Sequence, residues 1–457
     1  MTPVDLPDFL DQIERAHQLA TISTAMDPDQ EIAAVINQMC KSRDGGQALL
    51  FEKVKGVHLP LVANLFGSDH RMQICFGAGT SLDQRVTRLK ADLAATGRAS
   101  ATQALQDIIE RQAPAAVIDA HPLWQEQDVT GAGLDTLPAL KSWPGDGGRY
   151  LTLAQVHTYH PESRVANAGL YRVQILDSHT ALLRCHPGSG GLQNMRAWHA
   201  QGKAMPVALV LGGPPIMTWA ACTSLPGGIS ETDFVGYLTG QPFRLSRCTD
   251  PNLSVPANAE IVIEGSVPPG EERPEGPFGN HTGRYVPAAP APVLRIRQIR
   301  RRKQAIYPCT VVGPPPMENV YLAKVAAKFL LTLLQHDCPW VQDVHMPAES
   351  IFHQVAFVVT ATAQGAADVA MTLRQSRLLR NAKLLVLLPP GADAQRVAEV
   401  YWRVVNLDNL PQQLITVEGS LVIDARCYVA ADGVQADPQV LHRVRQILQR
   451  LHRGETK

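Results

Sequence analysis

Ten consecutive residues, Pro274-Glu275-Gly276-Pro277-Phe278-Gly279-Asn280-His281-Thr282-Gly283, put a carboxylate, an amide and an imidazole on a loop whose path proline and glycine restrict. Each proline fixes its own φ and drives the preceding residue towards extended backbone, while glycine admits positive φ or close approach of a ligand. Glu275 and Asn280 are therefore expected to be held in position. A surface turn draws on the same residue types, so a second segment is needed to read the loop as a site. Asn167-Ala168-Gly169-Leu170-Tyr171-Arg172 is that segment, and it runs into the alternating Val173-Gln174-Ile175-Leu176, which reads as a strand. Asn167 and Arg172 stand an odd number of residues apart, which on one continuous strand gives them opposite faces. If both reach one site, Gly169 is expected to mark a bulge or bend.

Charge narrows the class of partner. With 42 basic and 42 acidic residues the formal charge is zero, so no large field favours nucleic acid or an anionic membrane. The run Arg300-Arg301-Arg302-Lys303 follows the strand-like Val293-Leu294-Arg295-Ile296-Arg297 and reads as a solvated strand end. No stretch approaches the ~18 apolar residues of a membrane helix. Met1-Thr2-Pro3-Val4-Asp5 lacks the basic start and apolar core of a secretory signal; a cytoplasmic protein is expected. The eight cysteines are scattered without the paired short spacing of a zinc site or redox dithiol, so reduced thiols are expected. Cys185 adjoins His186, but neighbours on a strand point to opposite faces, and the pair is no sign of nucleophilic catalysis.

The length allows two or three domains. Phe9, Ile13 and Ala16 recur at helical spacing in 8–19, and 31–36 reads as a second helix entered after Asp27-Pro28-Asp29. A polar, proline-containing stretch near 131–146 separates this region from short apolar runs broken by Gly and Pro, the pattern of a β-rich unit and a candidate barrel. Gly313-Pro314-Pro315-Pro316 ends that unit. Val320, Leu322, Val325, Ala326, Phe329, Leu330 and Leu333 then form the broad apolar stripe of a connecting helix. Beyond it, strands at 355–360, 383–388 and 413–417 alternate with helices at 366–379 and 394–404, as in an α/β layer. The expected units are 1–130, 131–312, 313–336 and 337–457.

The two motifs, with Asp146-Gly147-Gly148-Arg149-Tyr150-Leu151-Thr152 ahead of them and Ser230-Glu231-Thr232-Asp233-Phe234-Val235-Gly236 between them, resemble the UbiD-type decarboxylases, which use prenylated flavin mononucleotide. The similarity runs from Asp5-Leu6-Pro7-Asp8-Phe9-Leu10 to Ile423-Asp424-Ala425. It implies a mixed α/β (α+β) fold: an N-terminal α/β region, a central split β-barrel that holds the flavin, the connecting helix, and a C-terminal α/β domain that makes at least a homodimer. Removing carbon dioxide from an sp² carbon requires an electron sink that no side chain supplies. The resemblance implies that prenylated FMN is that sink, provided by a flavin prenyltransferase, with a small aromatic carboxylate as substrate.

Arg172 suits an anion clamp, because guanidinium stays charged and offers two parallel donors. Glu275 suits proton management, its ionised form favoured by Arg172 and opposed by desolvation. The resemblance further implies a divalent ion, Mn²⁺ or Mg²⁺, tying the flavin phosphate to Asn167, His186 and Glu231, and a K⁺ beside it on the loop Thr223-Ser224-Leu225-Pro226. Leu170, Arg172 and Cys185 complete the implied flavin contacts. Oxygen-rich ligation with one imidazole suits such hard ions.

One departure bears on the chemistry. Where the family carries a second acid, five residues after Glu275, this chain has Asn280, and an amide does not deliver a proton as a carboxylic acid does. His281, Glu275 or an ordered water must serve instead. Arg284 stands where many relatives have an aromatic or other uncharged residue, and a guanidinium there suits a substrate with a further acidic group. These features resemble the branch of furan-2,5-dicarboxylate decarboxylases, which form furan-2-carboxylate reversibly. The alternatives are a hydroxybenzoate-type or polyprenyl acid as substrate, or a catalytically silent flavin-binding subunit.

Overall fold

Strand Ala289–Arg301, thirteen residues long, runs through the middle of the central sheet. The computed structural model describes residues 2–427 apart from 78, 99, 349 and 351–353, together with 439, 440, 442–444 and 447. Only the part of the expected C-terminal unit that follows Cys427 lies mostly outside the described residues. The sheet runs Tyr150–Leu151, Arg172–Asp177, Thr180–Arg184, Ala289–Arg301, Ile261–Val267, Met205–Leu211, Gln155–Tyr159, Ala166–Leu170. Glu272–Glu275 and Gln127–Asp128 pair with Ala289–Arg301 off this path.

Two strands consecutive in the chain, Ala166–Leu170 and Arg172–Asp177, thus stand near opposite ends of the sheet order with Tyr171 between them. The sheet is curled, and its two edges approach each other at Tyr171. The register of 155–159 with 166–170 is regular through Val156 opposite Gly169. The bulge expected at Gly169 is therefore absent, and the change of direction occurs at Tyr171. Gly169 is required for a different reason: a Cβ there would stand 2.3 Å from the Tyr171 hydroxyl.

Alternation along the strands builds the barrel core. Val207, Leu209 and Leu211 join Ile261, Ile263 and Leu294 on one face. Ala208, Val210 and Val262 face the other way, against Trp124 and Tyr159. Each such side chain withdrawn from water contributes about 1.5–3 kcal/mol.

The N-terminal helix spans Leu6–Arg15, capped by Asp5, whose carboxylate accepts the Asp8 amide at 2.9 Å. Helix Glu31–Cys40 follows. The adjoining sheet orders Leu19–Ile22, Ala48–Phe51, Leu61–Ala63 and Tyr307–Cys309. Its last strand comes from beyond the barrel and pairs parallel with Leu61–Ala63, tying the two regions together. The connecting helix, Asn319–Asp337, carries Phe329 into an aromatic cluster. Trp219 lies 4.7 Å from Phe76 and 5.2 Å from Phe329 between ring centroids, and Phe234 closes the group.

The C-terminal sheet orders Val341–His345, Val355–Thr360, Leu384–Leu388, Ser420–Asp424 and Leu414–Val417. Helices Ala366–Gln375 and Val397–Val405 accompany it. The first ends four residues before the expected position. Ser376 leaves helical backbone and its hydroxyl donates to the Leu373 carbonyl at 2.6 Å, after which Leu378 and Leu379 bury a tight turn. Among the described residues no helix is long and apolar enough to cross a membrane.

Trp219 is fully buried and joins three parts of the chain. Trp219→Ala should cost about 3–5 kcal/mol, read as a lower midpoint of the first urea transition. An unchanged midpoint would show that the aromatic cluster does not hold these parts together.

Candidate active site

Antiparallel pairing places Arg184 directly opposite Arg172 on neighbouring strands. Like charges so placed repel. Glu275, on the short strand Glu272–Glu275, meets both. Its Oε1 accepts from Arg172 Nε at 2.8 Å and its Oε2 from Nη2 at 2.7 Å, while Arg184 Nη1 stands 3.8 Å away. The carboxylate is fully buried, and the Arg172 side chain is 19% exposed. Because Nε and Nη2 face Glu275, Nη1 is left for another acceptor. The guanidinium also lies 4.5 Å over the Phe278 ring, which packs on Tyr150.

The loop after Glu275 is held by buried polar groups from two other segments. The Gly276 amide donates to Gln174 Oε1 at 2.8 Å, and Gln174 Nε2 donates to the Gly147 carbonyl. Asp146 accepts the Gly279 amide at 2.7 Å with one oxygen and the Trp143 amide at 2.9 Å with the other. Burial raises its carboxyl above the usual range. Gly147 permits the approach: a Cβ there would lie 2.2 Å from the Gly276 carbonyl oxygen.

A cavity of about 620 Å³ lies beside this pair. Of the residues singled out from the sequence, Asn167, Leu170, His186, Thr223, Ser224, Leu225, Pro226, Glu231 and His281 line it. Arg172, Glu275, Cys185, Asn280 and Arg284 are not part of its lining. Cys185 is half-buried, and burial pushes its thiol up to about 12. His186 is exposed, with Nδ1 2.7 Å from the Pro187 carbonyl oxygen. Asn280 caps its own turn, Oδ1 accepting the Thr282 amide at 2.9 Å and the Thr282 hydroxyl at 2.6 Å. Arg284 is exposed, and its carbonyl accepts the Asn280 amide at 3.1 Å.

A second cavity, of about 520 Å³, lies between the connecting helix and strand Val341–His345. Val320, Ala327, Leu331 and Met346 line it, and His281 lines both cavities. Burial and Lys383 lower the His281 imidazole below its ordinary value.

Sequence reasoning missed the far wall of the first cavity. Arg377, Arg380, Asn381 and Lys383, from the turn after helix Ala366–Gln375 and the approach to strand Leu384–Leu388, complete it together with Gln354. Their spacing looks like a solvated helix end, and only the tertiary fold brings them here.

The donors fit a phosphate-linked cation better than a free one. Asn167 Nδ2 is buried without a hydrogen-bond partner, and rotation of the amide presents its oxygen instead. Glu231, at the start of helix Glu231–Thr239, accepts the Ala168 amide at 2.8 Å. Burial pushes its carboxyl up to about 8, a cost that a nearby cation would relieve. Among the described residues no three His, Cys, Asp or Glu side chains converge as a metal site. One carboxylate, one amide and one exposed imidazole leave positions that phosphate oxygens and water would fill.

Three family models cover the chain: the 3-octaprenyl-4-hydroxybenzoate carboxy-lyase N-terminal domain at residues 10–90, its Rift-related domain at 116–315 and its C-terminal domain at 320–426. The chain belongs to the UbiD family of carboxy-lyases. A protein of Aquifex aeolicus is 33% identical over 98% of both chains, and one of Archaeoglobus fulgidus is 32% identical over 88% of this chain and 84% of its own. Among solved structures, the vanillic acid decarboxylase of Sedimentibacter hydroxybenzoicus in closed form superposes with a TM-score of 0.84 at 23% identity, covering 98% of this chain and 99% of that one. Its open form gives 0.76 at 22% identity over 99% and 100%. The UbiD-class enzyme HmfF of Pelotomaculum thermopropionicum, in an evolved dimeric form with prFMN, gives 0.79 at 25% identity over 96% and 98%.

Asp146→Ala removes two acceptors from the loop that carries Glu275. Protection of the Gly279 amide against hydrogen exchange should fall by about tenfold or more, as loss of one hydrogen bond of about 1.4 kcal/mol requires. Unchanged protection would show that other contacts hold the loop.

Proposed function

We propose that this UbiD-family protein decarboxylates a small aromatic or heteroaromatic acid with prenylated FMN, and that its substrate is furan-2,5-dicarboxylate. The observation that carries the reading is the buried, bidentate Arg172–Glu275 pair beside a cavity lined by Asn167, His186 and Glu231. HmfF, which shares the fold, has been seen with prFMN. Bound in the first cavity, prenylated FMN would supply the electron sink for carbon dioxide loss.

The protein's own groups would do the rest. Asn167, Glu231 and His186 would hold a divalent ion, Mn²⁺ or Mg²⁺, against the flavin phosphate, and the carbonyl groups of 223–226 would take K⁺. Leu170 would pack on the flavin, with Cys185 behind it. Arg172 Nη1 would receive the substrate carboxylate while Nε and Nη2 keep Glu275 in place. After carbon dioxide leaves, the carbon must gain one proton. Glu275, held as a carboxylate by Arg172, would take up a proton from water and pass it to that carbon, returning to the carboxylate form. Asn280, bound within its turn, would shape the loop and not act as an acid. His281, where the two cavities meet, and Arg284, on the same loop, would recognise a second carboxylate, since leaving a desolvated carboxylate unpaired costs several kcal/mol. Pairing through the C-terminal domains into a homodimer and loading by a flavin prenyltransferase belong to the same reading; HmfF has been seen in an evolved dimeric form.

Two variants separate the roles. Glu275→Gln should abolish decarboxylation while flavin occupancy stays at the wild-type level, and Glu231→Ala should lose flavin and metal together. Near-normal turnover by Glu275→Gln, or full occupancy in Glu231→Ala, would overturn these assignments.

Substrate class has its own test. Furan-2,5-dicarboxylate should be consumed at least tenfold faster than furan-2-carboxylate or 4-hydroxybenzoate, the factor expected of about 1.4 kcal/mol of differential binding. Arg284→Ala should narrow the gap by slowing the diacid alone. Faster turnover of 4-hydroxybenzoate would favour a hydroxybenzoate-type acid, and bound flavin with no turnover of any acid would favour a silent subunit.

A further inference from the structure

The far wall of the 620 Å³ cavity is cationic. The turn that follows helix Ala366–Gln375 buries Leu378 and Leu379, and this anchors the flanking Arg377 and Arg380, both half-buried, towards the opposite wall. Arg380 lies against the loop that carries His186: a Cβ added at Gly188 would stand 3.6 Å from its Nη1. Arg377 lies against the loop that follows Pro226, with Nη2 3.6 Å from a Cβ added at Gly227. Lys383 lines the same wall. Opposite them, among the described residues, the cavity offers one carboxylate, Glu231.

Neither arginine takes part in an ion pair or side-chain hydrogen bond among the described residues, although Arg374, in the last turn of the preceding helix, pairs with Glu418. Instead, burial and the neighbouring Arg380 both weigh against the charge on Arg377. Two half-buried guanidinium groups are thus held close together in the cavity without a paired counter-charge among the described residues. A cluster of this kind is stabilised by a compact anion of two negative charges, and a phosphate monoester carries about 1.5–2 at neutral pH. Guanidinium matches phosphate oxygens with paired donors.

We propose that Arg377 and Arg380 form the C-terminal half of a phosphate site that closes over the cofactor's phosphate from the side opposite Asn167 and Glu231. On this face the C-terminal domain is then fastened to the barrel through the bound anion, and a ligand without the phosphate does not fasten it. The inference rests on the flavin reading given above for the identity of the ligand, but the anion site stands on the arginines themselves.

Comparing FMN with riboflavin isolates the phosphate. Flavin fluorescence quenching with Mn²⁺ present gives the affinity of each ligand for the wild type, Arg377→Gln, Arg380→Gln and the double variant. FMN affinity should fall by about tenfold for each arginine, the loss of one charged hydrogen bond, with riboflavin affinity unchanged and Arg380→Lys falling between Arg380→Gln and the wild type. Equal losses for both flavins, or no loss for FMN, would overturn the proposal. Inorganic phosphate supplies the separate arm: it should raise the melting temperature of the wild type and leave that of the double variant unmoved. If the wild type bound neither flavin but kept this phosphate response, the flavin reading would fall and the anion site would stand; no phosphate response in the wild type would remove the anion site itself.

Discussion

Everything at the candidate active centre depends on keeping one carboxylate, Glu275, in a fully buried place. A charged group withdrawn from water costs several kcal/mol unless its partners are well aligned. Arg172 meets that cost with two parallel donors at 2.8 and 2.7 Å, and Arg184 adds a second positive charge at 3.8 Å. Those positions require four strands to converge: Arg172–Asp177 paired with Thr180–Arg184, and Glu272–Glu275 laid along the start of Ala289–Arg301. The curling of the sheet is what brings them there, because Asn167 and Arg172 sit on its two approaching edges, one residue either side of the 168–171 segment.

The site has two unlike ends. At one, a buried ion pair and an aromatic ring, Phe278, present a positive edge suited to a carboxylate. At the other, the cavity wall gathers Arg377, Arg380 and Lys383 opposite Glu231, the one acidic group among its described lining residues. An elongated ligand with a phosphate at one end and a reactive ring at the other matches this polarity. His281 stands where that cavity meets the apolar one beside the connecting helix.

Much of this was legible in the sequence where the cause is local. Proline and glycine around Glu275 announced a fixed loop, and the strands at 355–360, 383–388 and 413–417 appear within a residue of where their apolar runs placed them. Mixed α/β architecture with a curled central sheet followed from the same patterns and the family resemblance. The missed features are long-range. No local signal says that Tyr307–Cys309 returns to the N-terminal sheet, that the sheet turns at Tyr171 and not at Gly169, or that Arg377 and Arg380 face a cavity. Asn280 stands where the family resemblance implies a second acid, and the structure shows its Oδ1 accepting from the Thr282 amide and hydroxyl within its own turn. Arg284, expected near substrate, has an exposed side chain, which its place in a glycine-bearing hairpin explains.

The most direct measurement is the mass and absorption spectrum of the flavin released from protein produced together with a flavin prenyltransferase. The result expected is FMN carrying the added prenyl unit, in near-equimolar amount, from a preparation that releases carbon dioxide from an aromatic acid. Protein that takes up no flavin under those conditions, or that decarboxylates equally well with only unmodified FMN bound, would contradict a prenylated-flavin site built on Arg172, Glu275, Asn167 and Glu231.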